Sequence, residues 1–209
     1  WFPRRLVHVE GPYTGRPFVL AEWQQDWVRA LAGWRVKGNE DVARYRRAFL
    51  AVPRSNGKSM LAAGLGVRVL VGEHIPSAQI IGAATDRKAA GQIYGYVSAM
   101  VKSNEALYAR LKPVDSQKEL RGRKSNRLYR VVSAEAKRAH AYHPNWVILD
   151  EAHTQPNRRL YDVLNTSQRT LISPMMMCIS TAGFDRDSLC WDLWARALEA
   201  CGDRTIAPA

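Results

Sequence analysis

Three features are scarce in this sequence: cysteines, long apolar runs and acidic residues. Cys178, Cys190 and Cys201 form no Cys-x-x-Cys pair, so we predict neither a disulfide framework nor a zinc site, and a reducing compartment suits the chain. No stretch approaches about 18 consecutive apolar residues, and the first residues lack a signal-peptide pattern, so we expect no membrane association. Because the sequence opens on Trp1 instead of methionine, we expect the natural protein to extend at both ends.

The shortage of acidic residues leaves a large positive charge. Lysine and arginine number 31 against 19 aspartates and glutamates, which gives a net charge of +12. A single bound nucleotide does not require so large an excess, whereas a polyanion would, and nucleic acid is the first candidate. The alternative is a charge that only keeps the protein soluble. The length of 209 residues and the apolar fraction of 46% suit one globular domain with its own core.

A Gly-Lys-Ser sequence lies between an apolar run and a stretch of helical composition. Residues 48–52 suit a buried strand and residues 59–70 suit a helix, so the turn between them predicts a phosphate-binding loop at the helix start. Gly57 would let the backbone approach a phosphate, Lys58 would reach the outer phosphates, and Ser59 would bind Mg²⁺. The predicted loop comprises Pro53, Arg54, Ser55, Asn56, Gly57, Lys58 and Ser59. A valine replaces the first glycine of the usual pattern, so this loop alone leaves open a helix that merely begins with Gly-Lys-Ser.

An apolar strand ending in two carboxylates provides the second motif. Residues 146–149 suit a buried parallel strand, and Asp150 and Glu151 follow directly. Successive residues point to opposite sides of a strand, so one carboxylate can hold Mg²⁺ while the other polarises the attacking water. The alternative is a strand that runs into an acidic turn. In this order and at this spacing, the two motifs together predict hydrolysis of ATP with Mg²⁺ as a cofactor.

The remaining pattern alternates strands with helices. Residues 78–84 and 175–181 suit buried strands, and helical patterns follow both of them. This alternation predicts an α/β fold with a mostly parallel central sheet flanked by helices. We divide the chain into an arm with an adenine-side helix at residues 1–45 and an ATPase core at residues 46–209.

The N-terminal part begins with residues that interrupt helices and strands, continues with a helical pattern and ends in a charged stretch. Proline and glycine predict an irregular arm over residues 1–17, and the charges predict a loop over residues 37–47. Between them, apolar residues recur every three or four positions and predict a single apolar stripe. The stripe consists of Trp23, Trp27, Leu31 and Trp34. Gln24 lies on the same helix, where its amide can pair with an edge of adenine or can simply be solvated.

Two basic features follow the predicted phosphate-binding loop in the sequence, a cluster at residues 112–130 and the single Arg138. Residues 112–130 predict a hairpin or a loop excursion, and its cations either contact phosphates or form a solvated surface. The candidate DNA-binding residues are Lys118, Arg121, Arg123, Lys124 and Arg127. Arg138 precedes the acidic strand closely, so it can reach a γ-phosphate or can face solvent.

Four motifs together resemble the ATPase half of a large terminase, the motor that drives DNA into the capsids of tailed bacteriophages. They are Trp-Gln at 23–24, Pro-Arg-x-Asn-Gly-Lys-Ser at 53–59, Trp-Val-Ile-Leu-Asp-Glu-Ala-His at 146–153 and Ser-Thr-Ala-Gly at 180–183. The resemblance runs from Gln24 to the last helix and implies a phosphate-loop NTPase of the ASCE, RecA-like class.

The resemblance also implies roles for individual residues. Gln24 would recognise adenine, Lys58 and Ser59 would bind phosphates and Mg²⁺, Asp150 would hold the metal, and Glu151 would activate water. Hydrolysis would be coupled to DNA movement through Ser180, Thr181, Ala182 and Gly183. An arginine finger would come from a neighbouring subunit, with Arg138 as the first candidate and Arg54 as the second.

The implied partners are double-stranded DNA, a homo-oligomeric ring on a portal, and a small terminase subunit, all in the cytoplasm of an infected bacterium. Large terminases join this motor to a C-terminal nuclease. The acids after residue 182 are scattered, so we expect no nuclease activity from this chain, and the isolated domain can be monomeric. Two other functions stay open: a helicase or translocase, because residues 150–153 spell Asp-Glu-Ala-His, and a catalytically silent basic nucleic-acid-binding module.

Overall fold

The computed structural model describes residues 1–72, 75, 77–133, 142–181, 183 and 185–202. Its helices are α1 (Phe2–Arg5), α2 (Glu22–Gly33), α3 (Lys58–Val71), α4 (Arg87–Lys102), α5 (Glu105–Tyr108), α6 (Arg159–Ser167) and α7 (Leu189–Ala200). Its strands are β1 (Arg35–Val36), β2 (Asn39–Ala43), β3 (Arg47–Ala51), β4 (Gln79–Ala84), β5 (Leu111–Val114), β6 (Glu119–Gly122), β7 (Leu128–Ser133), β8 (Trp146–Leu149) and β9 (Met175–Ser180). Short 3₁₀ turns form at Asp115–Gln117 and Ala152–Thr154.

Seven strands form the central sheet in the order β3-β9-β8-β4-β7-β6-β5. The first five are parallel, and β6 and β5 add an antiparallel edge, which confirms the mostly parallel α/β sheet predicted from the sequence. In this register Ala51 lies beside Ser180, and Leu149 lies beside Cys178. The carboxyl ends of β3, β8 and β9 therefore meet at one edge of the sheet, where ligands bind in open α/β folds.

Helices cover both faces of the sheet. One core cluster joins the sheet to α3 and α4 and includes Leu65 and Val97, both 0% exposed. A second cluster on the other face contains Leu164 of α6 and Leu189 of α7. Within the part of the chain that the structure describes, no helix has the length and apolar character that a membrane span requires.

The N-terminal segment packs against the core, although its glycines and prolines predict an irregular arm. Phe2, Leu6 and Phe18 are 4%, 1% and 3% exposed and belong to the core cluster around α3. A methyl group added at Gly64 of α3 would lie 2.9 Å from Phe2 Cε1, so the segment sits directly on this helix. Burial of three large apolar side chains fixes a segment that its breakers leave without long regular elements.

Two further expectations for the N-terminal part differ from the structure. The predicted loop over residues 37–47 contains most of an antiparallel hairpin formed by β1 and β2, and it runs into β3. The predicted tryptophan stripe on α2 forms only in part, because Leu31 is buried whereas Trp23 and Trp34 are 37% and 53% exposed. Periodicity identified the helix correctly, but it did not identify which of its apolar residues the core covers.

The Tyr129 side chain on β7 leaves no room for a larger residue at Gly82. A methyl group added at Gly82 would lie 2.6 Å from the Tyr129 hydroxyl oxygen, so we expect Gly82→Ala to reduce the free energy of unfolding by about 1–3 kcal/mol. The Tyr129 hydroxyl is buried and has no hydrogen-bond partner among the described residues. Tyr129→Phe should therefore be neutral or stabilising, because an unpaired buried hydroxyl disfavours folding.

A double-mutant cycle measured by urea unfolding tests this prediction. We expect Gly82→Ala to be less harmful in the Tyr129→Phe background, because the atom it collides with is gone. Strict additivity of the two substitutions would contradict the contact.

Candidate active site

The predicted phosphate-binding loop forms between β3 and α3. Gly57 is the N-cap of α3 and adopts a left-handed conformation, with φ of 69°, that glycine accommodates without strain. The Asn56 side chain braces the turn by donating to the carbonyl oxygens of Pro53 at 3.1 Å and Arg54 at 3.3 Å. Residues 53–57 are exposed, and the first N–H groups of α3 have no partner within the helix, so they can bind an anion.

Two residues at this edge of the sheet adopt left-handed backbone conformations without being glycine. They are Ser55 in the loop, with φ of 67°, and Glu151 directly after Asp150, with φ of 50°. Such conformations cost about 1–3 kcal/mol each and are typical of functional sites. The structure therefore stores strain on both sides of the space where a nucleotide phosphate would lie.

Ser59 and Asp150 are brought together across this space. The Ser59 and Asp150 side chains line the same cleft, and the Asp150 carboxylate accepts a hydrogen bond from the Glu151 backbone N–H at 2.9 Å. Burial raises the pKa of Asp150, the neighbouring Glu151 charge adds to this rise, and the Ser59 hydrogen bond and the Lys58 charge oppose it. A hydroxyl and a carboxylate side by side suit Mg²⁺, which takes few protein ligands and completes its shell with phosphate oxygens and waters.

The raised pKa of Asp150 predicts a trade-off between stability and metal binding. The folded chain binds this proton more tightly than the unfolded chain, so stability falls as the pH rises from 3.8 through the folded-state pKa. At pH 7 the buried charge therefore opposes folding. We expect Asp150→Asn to leave the free energy of unfolding unchanged or to raise it by up to about 1 kcal/mol in the absence of metal. Mg²⁺-dependent ATP hydrolysis should be lost.

Urea unfolding at pH 7, repeated at lower pH, measures this effect. The exposed Asp41 offers a matched control, because Asp41→Asn removes a carboxylate that carries no burial penalty. An Asp150→Asn protein less stable than wild type at pH 7 would contradict the sign of the effect.

Lys58 and Glu151 form an ion pair across the site. Lys58 Nζ lies 2.8 Å from Glu151 Oε1, and the two side chains are 9% and 35% exposed. The sequence predicted separate roles for these residues, one on the phosphates and one on the water, and in the structure the two side chains contact each other. A bound phosphate would compete with Glu151 for the Lys58 ammonium group.

Gln24 connects α2 to the phosphate loop. Its side chain is buried, with Oε1 accepting from the Ala21 backbone N–H at 3.0 Å and Nε2 donating to the Asn56 carbonyl oxygen at 3.3 Å. An amide has two N–H donors and two acceptor lone pairs, so one of each stays available for a base. Adenine recognition by Gln24 stays a prediction, now with a position beside the loop.

Ser180, Thr181 and Gly183 lie next to the loop at the end of β9. The Val52 backbone N–H donates to the Ser180 carbonyl oxygen at 3.1 Å. His153 contacts this segment, and only the Asp-Glu-Ala-His spelling drew attention to it in the sequence. Ala182 and Arg138, predicted as a coupling residue and an arginine finger, lie outside the described residues.

A cleft of about 270 Å³ opens beside the two carboxylates. It is lined by Ser59, Ala84, Thr85, Asp86, Ala89, Gln92, Ile93, Tyr96, Asp150, Glu151 and Thr154. Burial raises the pKa of Tyr96 to about 12, and a hydrogen bond to Glu10 of the N-terminal segment contributes. The segment that packs on α3 therefore also contacts a wall of this cleft, which the sequence did not suggest.

The predicted DNA-binding cations do not form one patch. Lys118 Nζ donates to the Arg87 carbonyl oxygen at the start of α4, near the carboxyl edge of the sheet. Lys124 and Arg127 line a cavity of about 560 Å³ at the other end of α3, which is about 20 Å from the loop at 1.5 Å per residue. Arg123 donates to the Tyr108 carbonyl oxygen, and Arg121 pairs with the buried Glu119. The sequence left a hairpin and a loop excursion open, and the structure forms antiparallel β5, β6 and β7, with the cations divided between two edges of the sheet.

A parallel sheet with this loop, an acidic strand end beside it and the lysine–glutamate pair between them defines a phosphate-loop NTPase of the ASCE class. Residues 22–198 match the family described as the terminase large subunit, ATPase domain. The chain belongs to this family, which confirms the resemblance drawn from the four motifs.

Individual relatives of this chain are also large terminases. The chain is 32% identical over 190 residues to the terminase large subunit of Enterobacteria phage HK97, covering 89% of this chain and 36% of that protein. The crystal structure of the HK97 large terminase matches with a TM-score of 0.82 and 27% identity, over 97% of this chain and 40% of that one. The large terminase of a thermophilic bacteriophage in complex with ADP shares the fold, with a TM-score of 0.52 and 12% identity over 85% of this chain and 50% of that one. The chain thus spans less than half the length of its HK97 relatives.

Proposed function

We propose that this chain binds ATP with Mg²⁺ and hydrolyses it as the motor domain of a large terminase. The observation that carries the proposal is the convergence of Lys58, Ser59, Asp150 and Glu151 at one edge of the sheet, with Lys58 Nζ 2.8 Å from Glu151 Oε1. The ADP complex of the large terminase from the thermophilic bacteriophage supports a nucleotide as the ligand.

These four residues have different roles in binding and hydrolysis. Ser59 and Asp150 would hold the metal ion, which neutralises charge on the phosphates when it is bound. The N–H groups at the start of α3 and the Lys58 ammonium bind and orient the phosphates. Once Lys58 turns to the phosphates, Glu151 is free to orient a water in line with the γ-phosphate and to accept its proton.

Charge that develops on the transferred phosphoryl group needs a further cation. Lys58 supplies one from this chain, and we propose that an arginine from a neighbouring subunit supplies another. Arg54 is exposed on the phosphate loop and Arg138 precedes β8, so both stay candidates. Hydrolysis by the isolated chain should accordingly be slow.

The whole assembly moves double-stranded DNA in this proposal. Its support is the family membership together with the net charge of +12, which suits a polyanion. We propose a homo-oligomeric ring docked on a portal, with Ser180 to Gly183 coupling hydrolysis to DNA movement. Neither the helicase nor the silent binding module gains support from any comparison.

A phosphate-release assay tests the proposal. Purified chain should release phosphate from ATP in the presence of Mg²⁺, and chelation of the metal or the Lys58→Ala substitution should abolish the release. Concentrating the chain should increase the specific rate if a neighbouring subunit supplies an arginine. Wild-type protein that neither binds nor hydrolyses ATP would overturn the proposal.

A further inference from the structure

His153 lies between the catalytic carboxylate and the end of β9. Its Nδ1 atom is 3.3 Å from Glu151 Oε2 and 3.0 Å from the Ser180 hydroxyl oxygen. Its backbone N–H also donates to the Ser180 hydroxyl oxygen at 3.1 Å. The ring therefore contacts the proposed water-activating residue on one side and the proposed coupling segment on the other.

The hydrogen-bond directions follow from the Ser180 hydroxyl. This hydroxyl donates its only proton to the Thr181 carbonyl oxygen at 2.7 Å, so toward His153 it can only accept. In this arrangement Nδ1 donates to Ser180, and the buried Glu151 Oε2 lies 3.3 Å from the same nitrogen. Oε2 accepts no hydrogen bond from the described residues, and the His153 ring is a polar contact beside it.

The same contact extends to the last described helix. The Cys190 sulfur atom on α7 lies 3.4 Å from the Ser180 hydroxyl oxygen. A methyl group added at Gly183 would lie 3.3 Å from His153 Cβ and 3.8 Å from Cys190 Sγ, so these groups are closely packed. The chain of contacts thus runs from Glu151 through His153 and Ser180 to α7.

We infer that His153 is a positioning residue that orients Glu151 and transmits its rearrangement to α7. The inference rests on the proposed function, because it concerns the same site. Glu151 Oε1 is bound by Lys58, and a phosphate that attracts Lys58 removes this partner. Rotation of the Glu151 carboxylate then brings Oε2 into line with the Nδ1–H of His153, and this N–H is divided between Glu151 and Ser180.

Steady-state kinetics test the positioning role. We expect His153→Ala to lower kcat for ATP hydrolysis by about tenfold or more, with KM changed less than about twofold, because a misplaced base affects the transition state and not binding. His153→Asn should recover most of the activity, since its amide N–H can replace Nδ1–H. His143→Ala removes an exposed histidine upstream of β8 and should have no effect. Thermal unfolding establishes that each variant is folded.

A label on α7 tests the transmission. Cys201 at the end of α7 is exposed, whereas Cys178 and Cys190 are buried, so a maleimide fluorophore can be attached selectively. The emission of the label should differ between chain bound to Mg²⁺ with ADP and chain bound to Mg²⁺ with a non-hydrolysable ATP analogue. The difference should disappear in His153→Ala and in Ser180→Ala.

The two proposals fail in different ways. An unchanged kcat in His153→Ala, or no recovery in a folded His153→Asn protein, overturns the positioning role while the proposed ATPase stands. A label response that survives both substitutions overturns the transmission to α7. Wild-type protein that binds nucleotide without hydrolysing it would refute the ATPase, and the label would still decide the role of His153. A wild-type chain that binds no nucleotide refutes both.

Discussion

Glu151→Gln is expected to lower kcat for ATP hydrolysis by at least about 100-fold, because a positioned general base contributes about 10²–10⁴-fold and an amide cannot accept the proton. Nucleotide affinity should stay within about threefold of wild type or become tighter, since the substitution also frees the Lys58 ammonium from its partner. Single-turnover hydrolysis and equilibrium binding of a fluorescent nucleotide measure the two effects separately.

A matched control removes a carboxylate elsewhere. Glu105 is exposed in the first turn of α5, so Glu105→Gln should change neither quantity. If Glu151→Gln turned over ATP at the wild-type rate, another group would have to activate the water. If it lost affinity and rate together, Glu151 would be a binding residue, contrary to its proposed role.

The parts of the site that the sequence predicted are those that follow directly after a strand. Gly-Lys-Ser after one apolar run and Asp-Glu after another place Lys58 and Asp150 at carboxyl ends of parallel strands, and such ends share an edge of the sheet. Local pattern and sheet topology therefore suffice to bring Ser59 and Asp150 together.

Contacts between side chains that are far apart in the sequence could not be predicted from local sequence pattern. The ion pair of Lys58 with Glu151 and the contact of His153 with Ser180 depend on backbone conformations such as the left-handed Glu151, which no periodicity indicates. The predicted DNA-binding cations are divided between two edges because Lys118 precedes β6 and Arg123 follows it, at opposite ends of the strand. Charged residues that are close together in the sequence therefore do not always form one patch on the surface.

Lys58→Met should have the second large effect, on binding as well as rate. A hydrogen bond from a charged donor contributes about 1.5–3 kcal/mol, so we expect nucleotide affinity to fall by about 10–150-fold. Hydrolysis should become undetectable, because the same ammonium group also stabilises charge in the transition state. Methionine keeps the apolar length of this largely buried side chain, so the substitution removes the charge with little change in packing.

The Lys58–Glu151 pair provides a test that distinguishes loss of the ammonium group from misfolding of the variant. Removing Lys58 alone leaves the Glu151 carboxylate without its cation, so Lys58→Met should destabilise the metal-free chain, and adding Glu151→Gln should restore part of the loss. Lys112→Met, which removes an exposed lysine from β5, should leave stability, affinity and rate unchanged. A Lys58→Met protein that is as stable as the double variant and still binds ATP normally would mean that this ammonium group contacts neither the phosphates nor Glu151 in solution.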